Sequence, residues 1–269
     1  MKIAVSGKGG TGKTFLAGSL AARFAAQGHP VIAIDADPSP NLALTLGLSP
    51  EEAAAIVPLA KNEDLIRLKT ATEHPGVFRL TFTVDDIIRD HAIATPSGAH
   101  LMVMGTVSSM GSGCTCPAHS LVKALLRHLI VDREEFVILD MDAGVEHLGR
   151  GTAEHVDTML IVSDANRKSL DVAGAIFRMA KASQIRRSGL IGNRIGTPAQ
   201  DTIVRSFAAS HGMPVFGMIP FDQGVSDNGV DGTPLDPDRS PALHEVRRLA
   251  AGLESGTIPE KGEPRGGSP

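Results

Sequence analysis

The sequence predicts an α/β fold in which a mainly parallel sheet of about seven strands is flanked by helices on both faces. The first observation is a series of short, apolar, β-branched runs that carry almost no polar positions. The second is that segments with helical periodicity separate most of these runs. Strands that lack polar alternation are typical of a parallel sheet buried on both faces. The predicted strands are residues 2–5, 31–34, 100–104, 136–139, 158–162, 189–193 and 214–219.

The predicted helices have an apolar stripe at helical spacing, and they cover residues 14–27, 120–131, 169–182 and 202–210. The stretch 49–95 is less regular, and we expect it to form an insertion over the sheet edge. Within it, the run VFRLTF at 77–82 could add a strand. The tail 254–269 is rich in Gly, Pro and charge, and we predict that it is disordered. Residues 1–253 are therefore expected to form one domain.

Composition limits the class of protein. Of the 269 residues, 42% are hydrophobic and 21% are charged, which is typical of a globular domain with a sizeable core. The formal net charge of −4 gives no support for a nucleic-acid partner. The apolar run after Lys2 is too short for a signal or a membrane span. We therefore expect a cytoplasmic protein that binds neither nucleic acid nor membrane.

The segment GKGGTGKT directly follows the first predicted strand and opens the first predicted helix. It matches G-x-x-x-x-G-K-[ST] at every fixed position, which predicts a phosphate-binding loop and hence a P-loop NTPase. Its glycines allow backbone N–H groups to surround phosphate oxygens, Lys13 neutralises phosphate charge, and Thr14 places a hydroxyl on Mg²⁺. The alternative is a simple glycine turn between strand and helix. The residues assigned to the loop are Gly7, Lys8, Gly9, Gly10, Thr11, Gly12, Lys13 and Thr14.

Lys8 adds a second lysine directly after Gly7, and the resulting KGGTGK resembles the deviant Walker A ATPases. That family includes the Min and Par positioning ATPases, nitrogenase iron protein and arsenite-pump ATPases. The resemblance implies a homodimer in which Lys8 crosses the interface to the nucleotide of the partner and takes part in catalysis with Lys13. The alternative is a solvated lysine that serves only its own subunit.

Two further strand ends fit the same family. The segment VIAIDADPSPN ends a strand with Asp35 and Asp37, and FVILDMDAG ends another with Asp140 at the Walker B position, ahead of Gly144. The resemblance implies that Asp37 is the catalytic switch I aspartate that positions water. Asp35 is interpreted as a metal-shell or structural group, and Asp142 as an alternative to Asp140. A single aspartate after a strand is more often a helix cap than a ligand.

The adenine side is predicted from Asn193, because an amide offers both a donor and an acceptor to the N6/N7 edge. A guanine-type N-K-x-D motif would need Asp at position 196, where Gly196 stands, so ATP is favoured over GTP. The segment from 220 to 235 resembles the adenine-side loop of these ATPases. The remaining residues assigned to the nucleotide are Phe15, Arg194, Pro220, Phe221 and Asp222.

Cys114 and Cys116 are the only cysteines, and they stand in a Gly-rich segment before Pro117. Pro117 suits the first position of a helix, so Cys116 lies near the N-cap, where the helix dipole favours the thiolate. A metal site is favoured over a redox pair or two inert residues. A closed tetrahedral site needs four ligands, and a two-fold dimer would supply four thiolates. His119 could instead be a third ligand within the chain.

The segments LMVMGTV, GCTCPAHSLVKALLRHLI and ILDMDAGVEHLGRGTAEHVD together resemble the nickel-insertion ATPases of carbon monoxide dehydrogenase maturation (CooC-type). The resemblance implies ATP hydrolysis with Mg²⁺, nickel or zinc at the C-x-C site, and a nickel enzyme such as carbon monoxide dehydrogenase as client. It includes His147, which we do not assign as a ligand. The alternatives are a Min/Par-type positioning ATPase, an iron–sulfur ATPase, and a metal-storage module.

Overall fold

A computed structural model of the chain describes residues 1–37, 41–70, 84–105, 117–131, 133–144, 152–231 and 235–258. Its strands are β1 (Lys2–Gly7), β2 (Val31–Asp35), β3 (Ile93–Ala94), β4 (His100–Val103), β5 (Phe136–Asp140), β6 (Thr158–Ser163), β7 (Arg187–Ile195) and β8 (Val215–Pro220). Its helices are α1 (Lys13–Ala26), α2 (Leu42–Thr45), α3 (Pro50–Ala55), α4 (Glu63–Thr70), α5 (Val84–His91), α6 (Pro117–Val131), α7 (Arg167–Ala182), α8 (Pro198–Ser210), α9 (Gln223–Asp231) and α10 (Pro241–Ser255).

The strands form one sheet in the order β3-β4-β2-β5-β1-β6-β7-β8. Six of the seven neighbouring pairs are parallel, and the antiparallel pair is β3 with β4. The seven predicted strands are confirmed. The eighth strand is β3, a two-residue edge strand that is too short to leave an apolar run in the sequence. The possible strand at 77–82 lies outside the described residues.

Helices cover both faces of the sheet, as predicted. Because side chains of a strand alternate between faces, Ile3 and Val5 of β1 join the core under α1 and α10, while Ala4 joins the core under α6 and α7. All six residues of β1 are buried. This burial on both faces explains why the central strands carry no polar alternation.

The folded part of the chain extends beyond the predicted boundary at residue 253. Helix α10 continues to Ser255 and ends at Gly256, which has a left-handed φ of 68°. Glu254 accepts a hydrogen bond from Gln27 and pairs with His29, and Ile258 is buried in the core. The apolar Ile258 is the physical reason for the difference, since it is buried against the same face as α10. Residues 259–269 lie outside the described residues.

Within the ranges given above, none of the helices combines the length and the apolar character that crossing a bilayer requires.

Candidate functional site

The predicted nucleotide residues lie at the edge of the sheet where the parallel strands have their carboxyl ends. Gly7 ends β1, Asp35 ends β2, Asp140 ends β5 and Pro220 ends β8. In open α/β sheets this edge carries the loops that bind ligands. The sheet order places β1 directly between β5 and β6, so the phosphate loop emerges at the centre of that edge.

The phosphate loop is a tight turn that depends on glycine at two positions. A Cβ at Gly7 would overlap the carbonyl oxygen of Val162 on β6. Gly12 has a left-handed φ of 94°, and a Cβ there would overlap the side chain of Asn193. Inside the turn, the Thr11 hydroxyl donates a hydrogen bond to the Lys8 carbonyl at 2.8 Å. Lys8, Gly9 and Gly10 form its exposed tip.

Lys13 begins helix α1 and is only 5% exposed. Its Nζ lies 4.0 Å from Asp37 Oδ2, so the ammonium group and the carboxylate form an ion pair next to the phosphate loop. The first N–H groups of an α-helix have no partner within the helix. A buried ammonium next to a helix N-terminus is a site that attracts phosphate. The structure therefore brings together Lys13 and Asp37, which the sequence assigned to catalysis.

Asp140 is fully buried, and neither of its carboxylate oxygens has a hydrogen-bond partner among the described residues. Burial raises the pKa of Asp140 to about 7; the Thr14 hydroxyl and the Lys13 ammonium oppose that rise, and the Asp35 carboxylate adds to it. Two unpartnered carboxylate oxygens beside a hydroxyl are a donor set that suits Mg²⁺.

Asp35 lies beside Asp140 in the register of β2 and β5, yet its carboxylate is fully used within the protein. Its Oδ1 accepts from the Asp37 N–H at 3.1 Å, and its Oδ2 accepts from the Leu42 N–H at 2.9 Å. Burial raises the pKa of Asp35, and these backbone hydrogen bonds counteract the rise. Of the two roles considered for Asp35, the structure therefore favours the structural one: the carboxylate holds the chain after β2 in place.

Ser6 has a role that the sequence reasoning missed. Its hydroxyl is buried in β1, donates to the Asp142 carbonyl at 2.9 Å and accepts from the Gly144 N–H at 3.2 Å. The strand that leads into the phosphate loop is thereby tied to the segment after Asp140. The Asp142 carboxylate accepts from the Ala143 N–H instead of facing Asp140. In the sequence, the available signal was a serine that directly follows three apolar residues near the end of a predicted strand.

The adenine-side residues line one cavity. It lies between the phosphate loop, the end of β7 and the start of α9, the helix that follows β8. Seven of the residues that the sequence assigned to the nucleotide meet there, with three more that it missed. The lining consists of Gly12, Phe15, Asn193, Arg194, Pro220, Phe221, Asp222, Val225, Ser226 and Ala242. Val225 and Ser226 fall in the adenine-side segment, whereas nothing local to Ala242 on α10 indicated that it would reach the cavity.

Asp222 supports the walls of this cavity. Its Oδ2 accepts from the Ser240 hydroxyl at 2.5 Å and from the Ala242 N–H at 3.2 Å, and its Oδ1 accepts from the Gly224 N–H at 2.9 Å. Burial acts to raise the pKa of Asp222, but these hydrogen bonds outweigh it and lower the pKa. The carboxylate thus joins the N-termini of α9 and α10 at one point.

Asn193 and Arg194 both contact the phosphate loop. Asn193 Nδ2 donates to the Thr11 carbonyl at 2.7 Å, and Arg194 Nη1 donates to the Gly10 carbonyl at 2.9 Å. The sequence predicted Asn193 as a contact to the adenine edge. One of its two amide hydrogens is instead used inside the protein, and the rest of the side chain faces the cavity.

The predicted metal loop lies outside the described residues. Cys114, Cys116 and His147 lie outside the described residues, as does the side chain of His119. The helix predicted after the cysteines is present and begins at Pro117. In the parts of the chain that the structure describes, no three His, Cys, Asp or Glu side chains are grouped so that they could hold a metal ion.

Comparison with known proteins places this geometry among nucleotide-binding domains. The chain is 41% identical over 227 residues to the carbon monoxide dehydrogenase accessory protein CooC of Rhodospirillum rubrum, covering 84% of this chain and 85% of that protein. It is 40% identical over 253 residues to an uncharacterized ATP-binding protein of Methanocaldococcus jannaschii, covering 93% and 96% of the two chains.

Among solved structures, the septum site-determining protein MinD of Pyrococcus horikoshii, in complex with Mg-ADP, superposes with a TM-score of 0.66 at 18% identity. The match covers 95% of this chain and 97% of that one, and it confirms the fold. The family model described as CobQ/CobB/MinD/ParA nucleotide binding domain matches residues 2–235. Together with the phosphate loop and the cavity beside it, this match establishes that the chain is an ATPase belonging to the CobQ/CobB/MinD/ParA nucleotide-binding domain family.

Proposed function

We propose that the chain is an ATP-hydrolysing metallochaperone that supports nickel insertion into carbon monoxide dehydrogenase. The observation that carries the ATP-binding part of the proposal is that Gly12 of the phosphate loop lines the adenine-side cavity and is followed directly by the buried Lys13. The base occupies the cavity, the phosphates lie over the loop, and Lys13 neutralises their charge.

In this proposal Thr14 and Asp140 hold Mg²⁺, because the Asp140 oxygens have no partner within the described residues. When bound, Mg²⁺ supplies positive charge to the phosphates and orients them. The Asp37 side chain is 22% exposed and lies 4.0 Å from the Lys13 ammonium, a suitable position for orienting an attacking water. Asp35 contributes by holding the chain that carries Asp37.

The proposed delivery of nickel to a client enzyme rests on two observations. They are the 41% identity to a carbon monoxide dehydrogenase accessory protein and the cysteine pair. Cys114 and Cys116 of two subunits supply four thiolates for one ion. Soft sulfur ligands suit either nickel or zinc. Helix α6 begins one residue after Cys116, so its N-terminus favours the thiolate form of that side chain.

ATP and metal are linked through the dimer. Lys8 at the exposed tip of the phosphate loop reaches the partner's nucleotide, and the paired cysteine loops close over one ion. Ligands that favour the same state of a protein favour each other's binding. ATP binding therefore tightens the metal site, and hydrolysis loosens it so that the ion can pass to the client.

Metal titration of the full chain with sedimentation on the same samples tests the proposal. We expect one nickel or zinc ion per dimer, and Cys114→Ser or Cys116→Ser should remove most of the metal affinity while ATP binding persists. Affinity should rise with pH through the thiol range, because thiols must lose a proton to bind. Lys13→Ala is the matched control, since it should lose ATP binding and retain metal when no nucleotide is added.

One ion per monomer with no change in mass would contradict the shared site and favour His119 as a ligand within the chain. Full metal binding by the double serine variant would place the metal site elsewhere. Brown protein that contains iron and acid-labile sulfide would instead identify an iron–sulfur ATPase.

A further inference from the structure

Near the end of strand β7, two consecutive side chains both hold the phosphate loop. Asn193 Nδ2 donates to the Thr11 carbonyl, and Arg194 Nη1 donates to the Gly10 carbonyl. Neighbouring residues of a regular strand point to opposite faces. Two adjacent residues can contact the same loop only if the strand departs from regular geometry at this point.

The backbone shows such a departure. The pairing of β7 with β8 shifts register between Gly192 and Ile195. Arg194 has a left-handed φ of 59°, and among the described residues the other non-glycine residue with positive φ is Gln184, after the end of α7. A left-handed conformation is unfavourable for a residue with a Cβ and is typically retained at functional positions. The left-handed backbone at Arg194 directs its side chain to the Gly10 carbonyl, and that hydrogen bond offsets part of the strain.

The two hydrogen bonds determine which groups of the loop face a phosphate. In a planar trans peptide the carbonyl and the following N–H point in opposite directions. With the Gly10 carbonyl directed at Arg194, the Thr11 N–H turns to the inside of the loop, where it donates a hydrogen bond to the Lys8 carbonyl at 3.3 Å and so holds the turn closed. With the Thr11 carbonyl directed at Asn193, the Gly12 N–H turns away from β7.

We propose that Arg194, together with Asn193, is a positioning residue that turns the Gly10 and Thr11 carbonyls away from the nucleotide phosphates. Carbonyl oxygens would repel phosphate oxygens, whereas the N–H of the Thr11–Gly12 peptide attracts them. Arg194 acts through the loop backbone and does not read the base. This inference rests on the proposed binding of ATP at the phosphate loop.

Three substitutions of Arg194 in the full chain separate this role from the alternatives. Arg194→Met removes the donor and keeps the left-handed strain, Arg194→Gly removes both, and Arg194→Gln keeps a neutral donor. Arg205→Met on α8, which breaks a surface pair with Asp201, is the matched control. The measurements are ADP affinity by calorimetry, the thermal midpoint, and amide hydrogen exchange of the 7–13 peptide in protein without nucleotide.

We expect ADP affinity to fall by about fivefold in both the Met and the Gly variant, the effect of losing one hydrogen bond. The exchange of the 7–13 peptide should accelerate in both. The Gly variant should unfold at a higher temperature than the Met variant, because its strain is relieved. The Gln variant should recover part of the ADP affinity, and Arg205→Met should behave as wild type.

Weakened ADP binding with unchanged exchange would overturn the inference and make Arg194 a direct ligand contact. Affinities that follow the thermal midpoints would reduce Arg194 to a structural residue. Unchanged exchange and unchanged affinity in all three variants would also overturn it. If wild-type protein fails to bind ADP, the proposed function fails, and the exchange measurement still decides whether Arg194 orders the loop.

Discussion

Lys13 and Asp37 face each other at 4.0 Å, yet they have different tasks in the proposed ATPase. Lys13→Ala should abolish measurable nucleotide binding, because it removes the buried positive charge at the phosphate site. Asp37→Asn should keep ATP affinity within about threefold and lower kcat by at least about a hundredfold, since it acts on the attacking water. Calorimetry with ADP and steady-state phosphate release measure the two effects. Equal losses of affinity in both variants would refute the division of roles.

Asp140 and Asp35 are neighbours in the sheet, and their carboxylates provide a matched pair of substitutions. Asp140→Asn removes a buried charge without a hydrogen-bond partner, so the free energy of unfolding at pH 8 should rise by about 1–3 kcal/mol. Asp35→Asn should lower it by a similar amount, because an amide N–H₂ would face the Leu42 or Asp37 N–H.

Urea unfolding of protein without nucleotide measures both changes. A second readout is the ratio of the ADP affinity with Mg²⁺ to the ADP affinity without it. This ratio should fall to about one in Asp140→Asn only, because that variant loses a residue proposed to hold Mg²⁺. If the unfolding free energy changed in the same direction in both variants, the two carboxylates would not differ in the way that their hydrogen bonds indicate.

At the scale of elements, the carboxylate of Asp222 joins β8, α9 and α10 at the adenine-side cavity. In the wild type, the donors around Asp222 are shared between its two carboxylate oxygens, and Asp222→Asn leaves only one oxygen to accept from them. We therefore expect a loss of about 1–3 kcal/mol in unfolding free energy. Adenine nucleotide affinity should fall as well, because Ala242 and Val225 line the cavity. Asp227→Asn, which removes the charge from an exposed acceptor of Gln223 within α9, is the matched control.

The Asp222 contribution has a definite pH dependence. Its pKa is lowered in the folded protein, so the unfolded chain binds the proton more readily. The carboxylate therefore stabilises the fold above the ordinary Asp pKa of about 4, and this stabilisation disappears as the pH falls through the lowered value. The difference in unfolding free energy between wild type and Asp222→Asn should be constant from pH 6 to 8 and should shrink below about pH 4. A difference that grows on acidification would contradict the assignment.

At the scale of the whole molecule, the proposed dimer depends on Lys8, which stands at the exposed tip of the phosphate loop. Lys8→Ala should reduce dimer formation in the presence of a non-hydrolysable ATP analogue by at least about tenfold, while the affinity of the monomer for ADP changes little. Sedimentation measures the first effect and calorimetry the second. Lys181→Ala is the control, because Lys181 lies over Phe177 near the end of α7. An unchanged monomer–dimer equilibrium would make Lys8 a residue of its own subunit only.

The sheet, the phosphate loop and most of the residues that line the adenine-side cavity could be predicted from the sequence. Burial on both faces leaves continuous apolar strands, and a tight turn around phosphate needs glycines at fixed spacing, so both can be recognised from consecutive residues. Phe15, Asn193 and Phe221, which line the cavity, could be predicted because each lies next to a motif or a strand end.

The contacts and hydrogen bonds between residues far apart in the chain could be read from the three-dimensional structure alone. Ala242 lines the cavity, and Ser240 bonds Asp222 beside it, because α10 packs beside β8. No local pattern of α10 encodes that packing. Asp35 and Asp140 look alike as strand-ending aspartates, and only their hydrogen-bond partners distinguish a structural carboxylate from a free one. Arg194 faces the phosphate loop because the register of β7 shifts, and register is a property of paired strands.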